Sequence, residues 1–203
     1  MSSESGSYTK RKRAEGEAET RARIAQAAVD LHGSVGPAFT TISAVAERAN
    51  VRRATVYRHF PDETALFAAC SSRWLSQNPL PDAGQLRHIT GGHERLTTVL
   101  DLIYSYYRPN AQMLANVIRH AEGSPALKET LTGFAKWLED IRGVLHAGFG
   151  VPKAQATDLQ RAAIAHASSF LTWRELCCDQ DLSDADARDL MCRLVRATFG
   201  QGC

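Results

Sequence analysis

Two adjacent guanidinium groups, Arg52 and Arg53, are followed within one short segment by the hydroxyl of Thr55, the phenol of Tyr57 and the imidazole of His59. The chemistry open to such a set is recognition rather than bond-making. Arginine presents a rigid fork of donors to phosphate oxygens or base edges, and hydroxyl, phenol and imidazole groups add single contacts to the same targets. These side chains work together only if one rigid element aims them the same way.

The flanking residues supply that element. Val56 and Phe60 stand four apart and form an inward pair, leaving Arg52, Arg53, Thr55, Tyr57 and His59 outward on a short helix. Upstream, Ile42, Val45, Ala46 and Ala49 recur at i, i+3, i+4 and i+7, an apolar stripe that predicts a second short helix, with Thr40 or Thr41 able to cap its first amides. Asn50 falls in the A-N-V link between them, where a residue tolerating positive φ is required. Residues 41–60 thus read as a helix-turn-helix.

The stretch from Thr20 to Ala68 resembles, without gaps, the DNA-binding domain of the TetR family of bacterial transcription regulators, through T-I-S-A-V-A, A-N-V-R-R-A-T-V-Y-R-H-F-P-D and A-L-F. The resemblance implies that Arg52, Arg53, Ala54, Thr55 and Tyr57 enter the major groove and that Thr41, Tyr57 and His59 lie near phosphates. It also implies a small residue at position 54, so that the helix approaches the bases closely. On that alignment Arg53 is the candidate for guanine, and Arg52 serves base or phosphate. Three residues depart from the family pattern: Asn50 replaces a turn glycine, Arg52 stands where Ser or Thr often caps the recognition helix, and Glu63 stands where a basic residue often meets phosphate.

Charge supports a divided chain. The 203 residues carry a net +2, but residues 1–60 hold ten Lys or Arg against six Asp or Glu, whereas the remainder holds fourteen against sixteen. An apolar content of 44% supports a real core and excludes wholesale disorder. No apolar run reaches the ~20 residues needed to span a bilayer, and the N-terminus lacks the apolar core of a signal peptide, so the expected location is the cytoplasm. Cys70, Cys177, Cys178, Cys192 and Cys203 are odd in number and form no C-x-x-C pair, which argues for reduced thiols over a disulfide framework or zinc site. The adjacent Cys177 and Cys178 leave thiol sensing open.

Residues 1–18 have no periodic apolar positions and contain the basic cluster Lys10 to Arg13; they read as a flexible arm, either a solvated tail or a device reaching the duplex. Ile24, Ala28, Leu31 and Val35 define a first helical face closed by Gly36 and Pro37, with Phe39 as a plug for the core. The DNA-binding domain is placed at 19–66, with a linking fourth helix from 62 to about 77 whose inner side is Leu66, Phe67, Cys70 and Trp74. A Pro- and Gly-rich junction at 78–92 opens the second domain, 78–203.

There the period remains helical. Leu96, Val99, Leu100, Ile103 and Tyr107 form a stripe that Pro109 is expected to break; Met113, Leu114, Val117, Ile118 and Ala121 form another. Ser124 and Pro125 open a helix ending near Gly148 and Gly150. Leu159, Ala163, His166, Phe170, Trp173 and Cys177 read as one long stripe, and Leu190, Met191, Leu194, Val195 and Thr198 as a last helix after Ser183. The expected fold is all-α, with about nine helices and no strand.

One recognition helix reads only a few base pairs, so a homodimer is expected. The resemblance places its interface on the last two helices; whether each stripe faces the partner or its own core is open at this level. Trp74, Tyr104, Tyr107, Met113, His120, Phe134, Trp137, His166, Phe170 and Trp173 mix apolar bodies with polar tips, and are either plain core or the lining of a site for a small hydrophobic or aromatic effector. The expected function is a DNA-binding transcriptional regulator, by family default a repressor acting on an inverted-repeat operator. No cofactor or metal is expected. Enzymatic chemistry lacks support: there is no Glu-x-x-His pair, no nucleophile motif, and His88 and His93 are not a recognised ligand pair. An architectural DNA-binding protein without effector is the alternative.

Overall fold

The computed structural model describes residues 3–200, and every regular element among them is helical. Cys203 lies outside the described residues. The chain divides into two compact units, one formed by residues up to 78 with 115–130, the other by 79–114 with the residues from 131 onward. Residues 115–130, expected in the second domain, group with the first unit.

The first unit is built on α1 (Ser3–Ser34), α2 (Ile42–Arg48), α3 (Arg53–His59) and α4 (Glu63–Gln77). α1 packs on α4 and α2, and α2 on α3. Ile24, Val45 and Val56 are fully buried, with Leu66, Phe67 and Phe60 around them. Thr41, not Thr40, caps α2: its Oγ1 accepts from the Ala44 amide at 3.1 Å, whereas the Thr40 hydroxyl donates to the Gly36 carbonyl. Asn50 adopts φ 52°, the left-handed turn conformation that its residue type suggested.

Three expectations are corrected here. Residues 3–18, read as an irregular arm, continue α1 as a helix, for which Lys, Arg, Glu and Ala have adequate intrinsic propensity even without an apolar face. Phe39 does not plug the core: Gly36 turns at φ 92°, Pro37 takes the inner position, and Phe39 is 70% exposed with its ring edge against His120. Val35 follows the last residue of α1 and points out of the helical face that its spacing suggested.

α5 (Gly92–Ala121) runs through Pro109 rather than breaking there. Proline removes one amide donor from the ladder, and the side chain of Asn110 donates to the Tyr106 carbonyl at 2.8 Å in the same turn. The C-terminal turns of α5 belong to the first unit, where the buried Asn116 amide donates to the carbonyls of His32 and Gly33 at 2.9 and 3.1 Å. These are carbonyls that the end of α1 leaves without helical donors. His32 itself is buried, stacked on Phe67 and 3.5 Å from the Cys70 thiol. Burial lowers its pKa to about 4 and pushes the thiol up to about 12, so both groups are neutral at pH 7.

The second unit contains the remainder of α5, most of α6 (Pro125–Gly148), α7 (Asp158–Ala167), α8 (Phe170–Arg174) with a π-turn at Glu175–Asp179, and α9 (Asp184–Thr198). Thr157 and Gln160 form a capping box at α7, and Ser183 caps α9. The stripe from Leu159 to Cys177 is not one helix. The chain breaks at Ser168 and Ser169, Ser169 caps α8, and the Tyr104 and Tyr107 hydroxyls donate to the carbonyls of Ala167 and Ser168, both at 2.8 Å. Two tyrosines from α5 thereby satisfy the backbone that the break releases.

Arg95, buried in this unit, makes its hydrogen bonds to carbonyl oxygens alone among the described residues. Its guanidinium donates to Ile89, Arg87 and Val144, clamping the 79–91 segment to α5 and α6.

Candidate nucleic-acid interface

α3 starts at Arg53, and its geometry separates two faces. Val56 is fully buried and Phe60 nearly so, whereas Arg52, Arg53 and Ala54 are exposed and Tyr57 is 48% exposed. Thr55 is half-buried at the edge of this face. Arg52 holds the N-cap position with extended backbone and makes no side-chain cap, so its guanidinium is free of the helix it precedes. Neither Arg52 nor Arg53 has an ion-pair partner among the described residues. The first turn of α3 therefore presents two cations, unsatisfied amides and a methyl group to solvent, which suits close approach to a polyanion.

Thr41 is exposed. Its oxygen accepts from the α2 amide and its hydroxyl hydrogen remains available to donate. His59 differs from its expected role: its Nε2 is shielded from solvent and has no partner among the described residues, so the imidazole turns inward. Burial, reinforced by the positive charges of Arg58 and Arg21 and opposed by Glu17, lowers its pKa and favours the neutral ring.

Two positioning contacts were not legible in the sequence. Arg21 of α1 donates to the His59 carbonyl at the end of α3 and lies over the Phe60 ring at 4.2 Å. Arg48 of α2 pairs with Asp30 of α1 at 3.1 Å. The first anchors the C-terminal end of α3 and the second holds α2, yet each joins residues too far apart in sequence for a local pattern to reveal. Asp62 caps α4 by accepting from Ala65, and Glu63 follows in its first turn, so acidic groups border the basic face.

The residues expected to line an effector site divide among different environments. Tyr104, Tyr107, Phe170 and Trp173 are fully buried and mutually packed, with Trp137 against Tyr106, Tyr107 and Phe134. The Trp173 indole donates to Asp184 and the Trp137 indole to the Pro81 carbonyl, both at 2.8 Å. Burial pushes the Tyr104 and Tyr107 hydroxyls upward. Their polar tips are thus occupied by protein. Met113 is half-buried on α5, His166 is exposed with Nδ1 3.0 Å from the Thr172 hydroxyl, and Trp74 and His120 belong to the first unit. A cavity of about 440 Å³ is lined by Trp137 with Leu80, Pro81, Arg87, Ile141 and Val144 together with Asp82 and Asp140.

Comparison with known proteins agrees with this geometry. The family model for bacterial regulatory proteins of the tetR family matches residues 24–70, the segment that contains α2, α3 and the core beneath them. An Escherichia coli protein described as the probable acrEF/envCD operon repressor is 32% identical over 117 residues, covering 54% of this chain and 51% of its own. The chain thus spans about half the length of the curated relatives it matches. Among solved structures, NalD of Pseudomonas aeruginosa, the secondary repressor of the MexAB-OprM multidrug efflux pump, has a TM-score of 0.59 at 20% identity, covering 92% of this chain and 97% of its own. The transcriptional regulator FadR of Bacillus subtilis, in complex with stearoyl-CoA, has a TM-score of 0.56 at 17% identity, covering 89% and 98%. At those identities the likeness is one of fold. Residues 24–70 are thus similar in sequence to the tetR family of bacterial regulatory proteins, and the helical architecture is similar in fold to solved regulators along most of its length.

Proposed function

We propose that this protein is a sequence-specific DNA-binding transcriptional regulator, a repressor that a small hydrophobic or aromatic ligand releases from its operator. The observation that carries the reading is the exposed first turn of α3, with Arg52, Arg53 and Ala54 projecting from a helix whose other face is locked on Val56 and Phe60. Arg53 reads guanine, Arg52 holds phosphate, and Thr41 and Tyr57 add phosphate contacts. The operator is an inverted repeat, because the active species is a dimer.

The dimer forms through α8 and α9. α9 buries Met191 and Val195 in its own unit while Leu190 and Leu194 stay 39% and 49% exposed, and Leu171 of α8 is 55% exposed. Two stripes on one helix, one inward and one unpartnered, support a second copy as the missing cover.

The effector enters beside Trp137, whose ring joins the buried aromatic cluster to the cavity lined by Leu80, Ile141 and Val144. NalD and FadR are repressor and ligand-bound regulator of the same fold, which supports a ligand-responsive role here. A ligand that favours the conformation unable to bind DNA weakens operator binding by its differential affinity for the two states.

The test is retention of sheared genomic DNA from the source organism on the purified protein at near-physiological salt, followed by sequencing. Recovery of a few intergenic fragments sharing an inverted repeat is the expected result. Uniform recovery would favour an architectural protein, and no recovery from protein stripped of bound ligand would refute DNA binding.

A further inference from the structure

The N-terminal half of α1 has no core to pack against among its described side chains. Tyr8 and residues 10–19 are exposed, the first core residue of the helix is Ile24, and the segment therefore covers no apolar surface. Two exposed ion pairs support it, Arg11 with Glu15 at 3.7 Å and Arg13 with Glu17 at 3.4 Å, and pairs of this kind contribute little. Lys10, Arg11, Lys12 and Arg13 meanwhile place like charges side by side.

Its anchor gives the segment a direction of action. Arg21 grips the His59 carbonyl and the Phe60 ring, so α1 leaves the unit's core beside the C-terminal end of α3. At ~1.5 Å rise per residue, Lys10 to Arg13 lie about 12–17 Å beyond Arg21 along the helix axis. Successive residues turn by ~100°, so this run carries positive charge around most of the helix circumference and presents cations to a neighbouring surface at any rotation.

We propose that this part of α1 is a second DNA-contacting element, in which Lys10, Arg11, Lys12 and Arg13 bind phosphates of the duplex flanking the bases that α3 reads. The proposal rests on the reading of α3 as the recognition helix. Phosphates neutralise the self-repulsion of the run, so binding and helix formation reinforce each other. The added backbone contacts offset the acidic Asp62 and Glu63 at the start of α4, both exposed beside the basic face.

The experiment compares the full-length protein with a variant carrying Lys10→Gln, Arg11→Gln, Lys12→Gln and Arg13→Gln, in which glutamine keeps helix propensity. Binding to a long mixed-sequence duplex is measured as a function of salt. Each lost phosphate contact lowers the slope of log affinity against log salt by ~0.9, so the variant is expected to be shallower by roughly two to four per protomer and at least tenfold weaker near physiological salt. An unchanged slope overturns the proposal. So does a variant that loses binding to anionic phosphatidylglycerol vesicles while its DNA slope is retained, which would assign the run to a membrane surface.

A second substitution tests the helix itself. A Cβ added at Gly16 meets nothing within 4 Å, so Gly16→Ala acts through helix propensity alone and is expected to tighten DNA binding about two- to fivefold. Unchanged affinity would leave a flexible basic tail in place of a helical element. Failure of the α3 reading is separable, because it appears as loss of fragment selectivity in the wild-type protein while the salt slopes still differ.

Discussion

On the proposed function, Arg53 is the residue on which sequence discrimination turns. Arg53→Ala is expected to weaken binding to the recovered operator by about 5- to 150-fold, equivalent to ~1–3 kcal/mol, without changing the circular dichroism or the oligomeric state. The side chain is exposed and makes no ion pair among the described residues, so its loss leaves no hole or orphaned charge in the fold. Equal operator affinity, read by fluorescence anisotropy, would remove Arg53 from the base-reading face. Asn50 acts through the backbone instead. At φ 52° it carries the turn between α2 and α3, and Asn50→Val is expected to lower stability by ~1–2 kcal/mol in urea denaturation while Asn50→Gly does not. The exposure of Arg53 and the turn at Asn50 were legible in the sequence because each depends on residue type and local spacing. The shielding of the His59 Nε2 was not legible, because it arises from the folded surroundings and not from residue type or local spacing.

Between elements, the seam of α1, α4 and the tail of α5 is held by a neutral polar set. His32 stacks on Phe67, touches Cys70, and its carbonyl accepts from Asn116. Because burial holds the His32 pKa at about 4 in the folded protein against ~6.5 in an unfolded chain, protonation favours unfolding. Stability from this group is fully present above pH 6.5 and is lost as pH falls toward 4, by about 3 kcal/mol at most. Amide exchange of α1 and α4 is expected to accelerate across that window in the wild type and to show a flatter pH response in His32→Leu. An equal response in the two proteins would assign the acid sensitivity elsewhere. Pro109 misleads as a helix breaker because the helix continues through it at the loss of a single amide donor, with the Asn110 side chain donating to the Tyr106 carbonyl in the same turn.

For the whole molecule, the proposed function requires two copies. The exposed Leu190 and Leu194 stripe is expected to be covered in the dimer, so the double variant Leu190→Glu and Leu194→Glu should sediment as a monomer at micromolar concentration. Both side chains are already partly exposed in the single chain, so the helical content should persist. Operator affinity should fall steeply, since a monomer engages one half-site. A dimer that survives both glutamates would place the interface elsewhere.

The sequence by itself determined the all-α class, the helix-turn-helix, the exposure of Arg52, Arg53 and Tyr57 and the turn at Asn50. Each follows from periodicity, capping chemistry or residue type over a few neighbours. Tertiary structure alone decided how the long apolar stripes are used. Leu159 is 66% exposed while Trp173 in the same periodic series is fully buried, because the chain breaks at Ser168 and Ser169 and the Tyr104 and Tyr107 hydroxyls satisfy the released carbonyls. Tertiary structure likewise decided what holds the polar tips of the aromatic side chains: the Trp137 indole donates to the Pro81 carbonyl and the Trp173 indole to Asp184. The physical reason is shared: periodicity states that a face is apolar, whereas what covers it depends on partners brought together from distant parts of the chain.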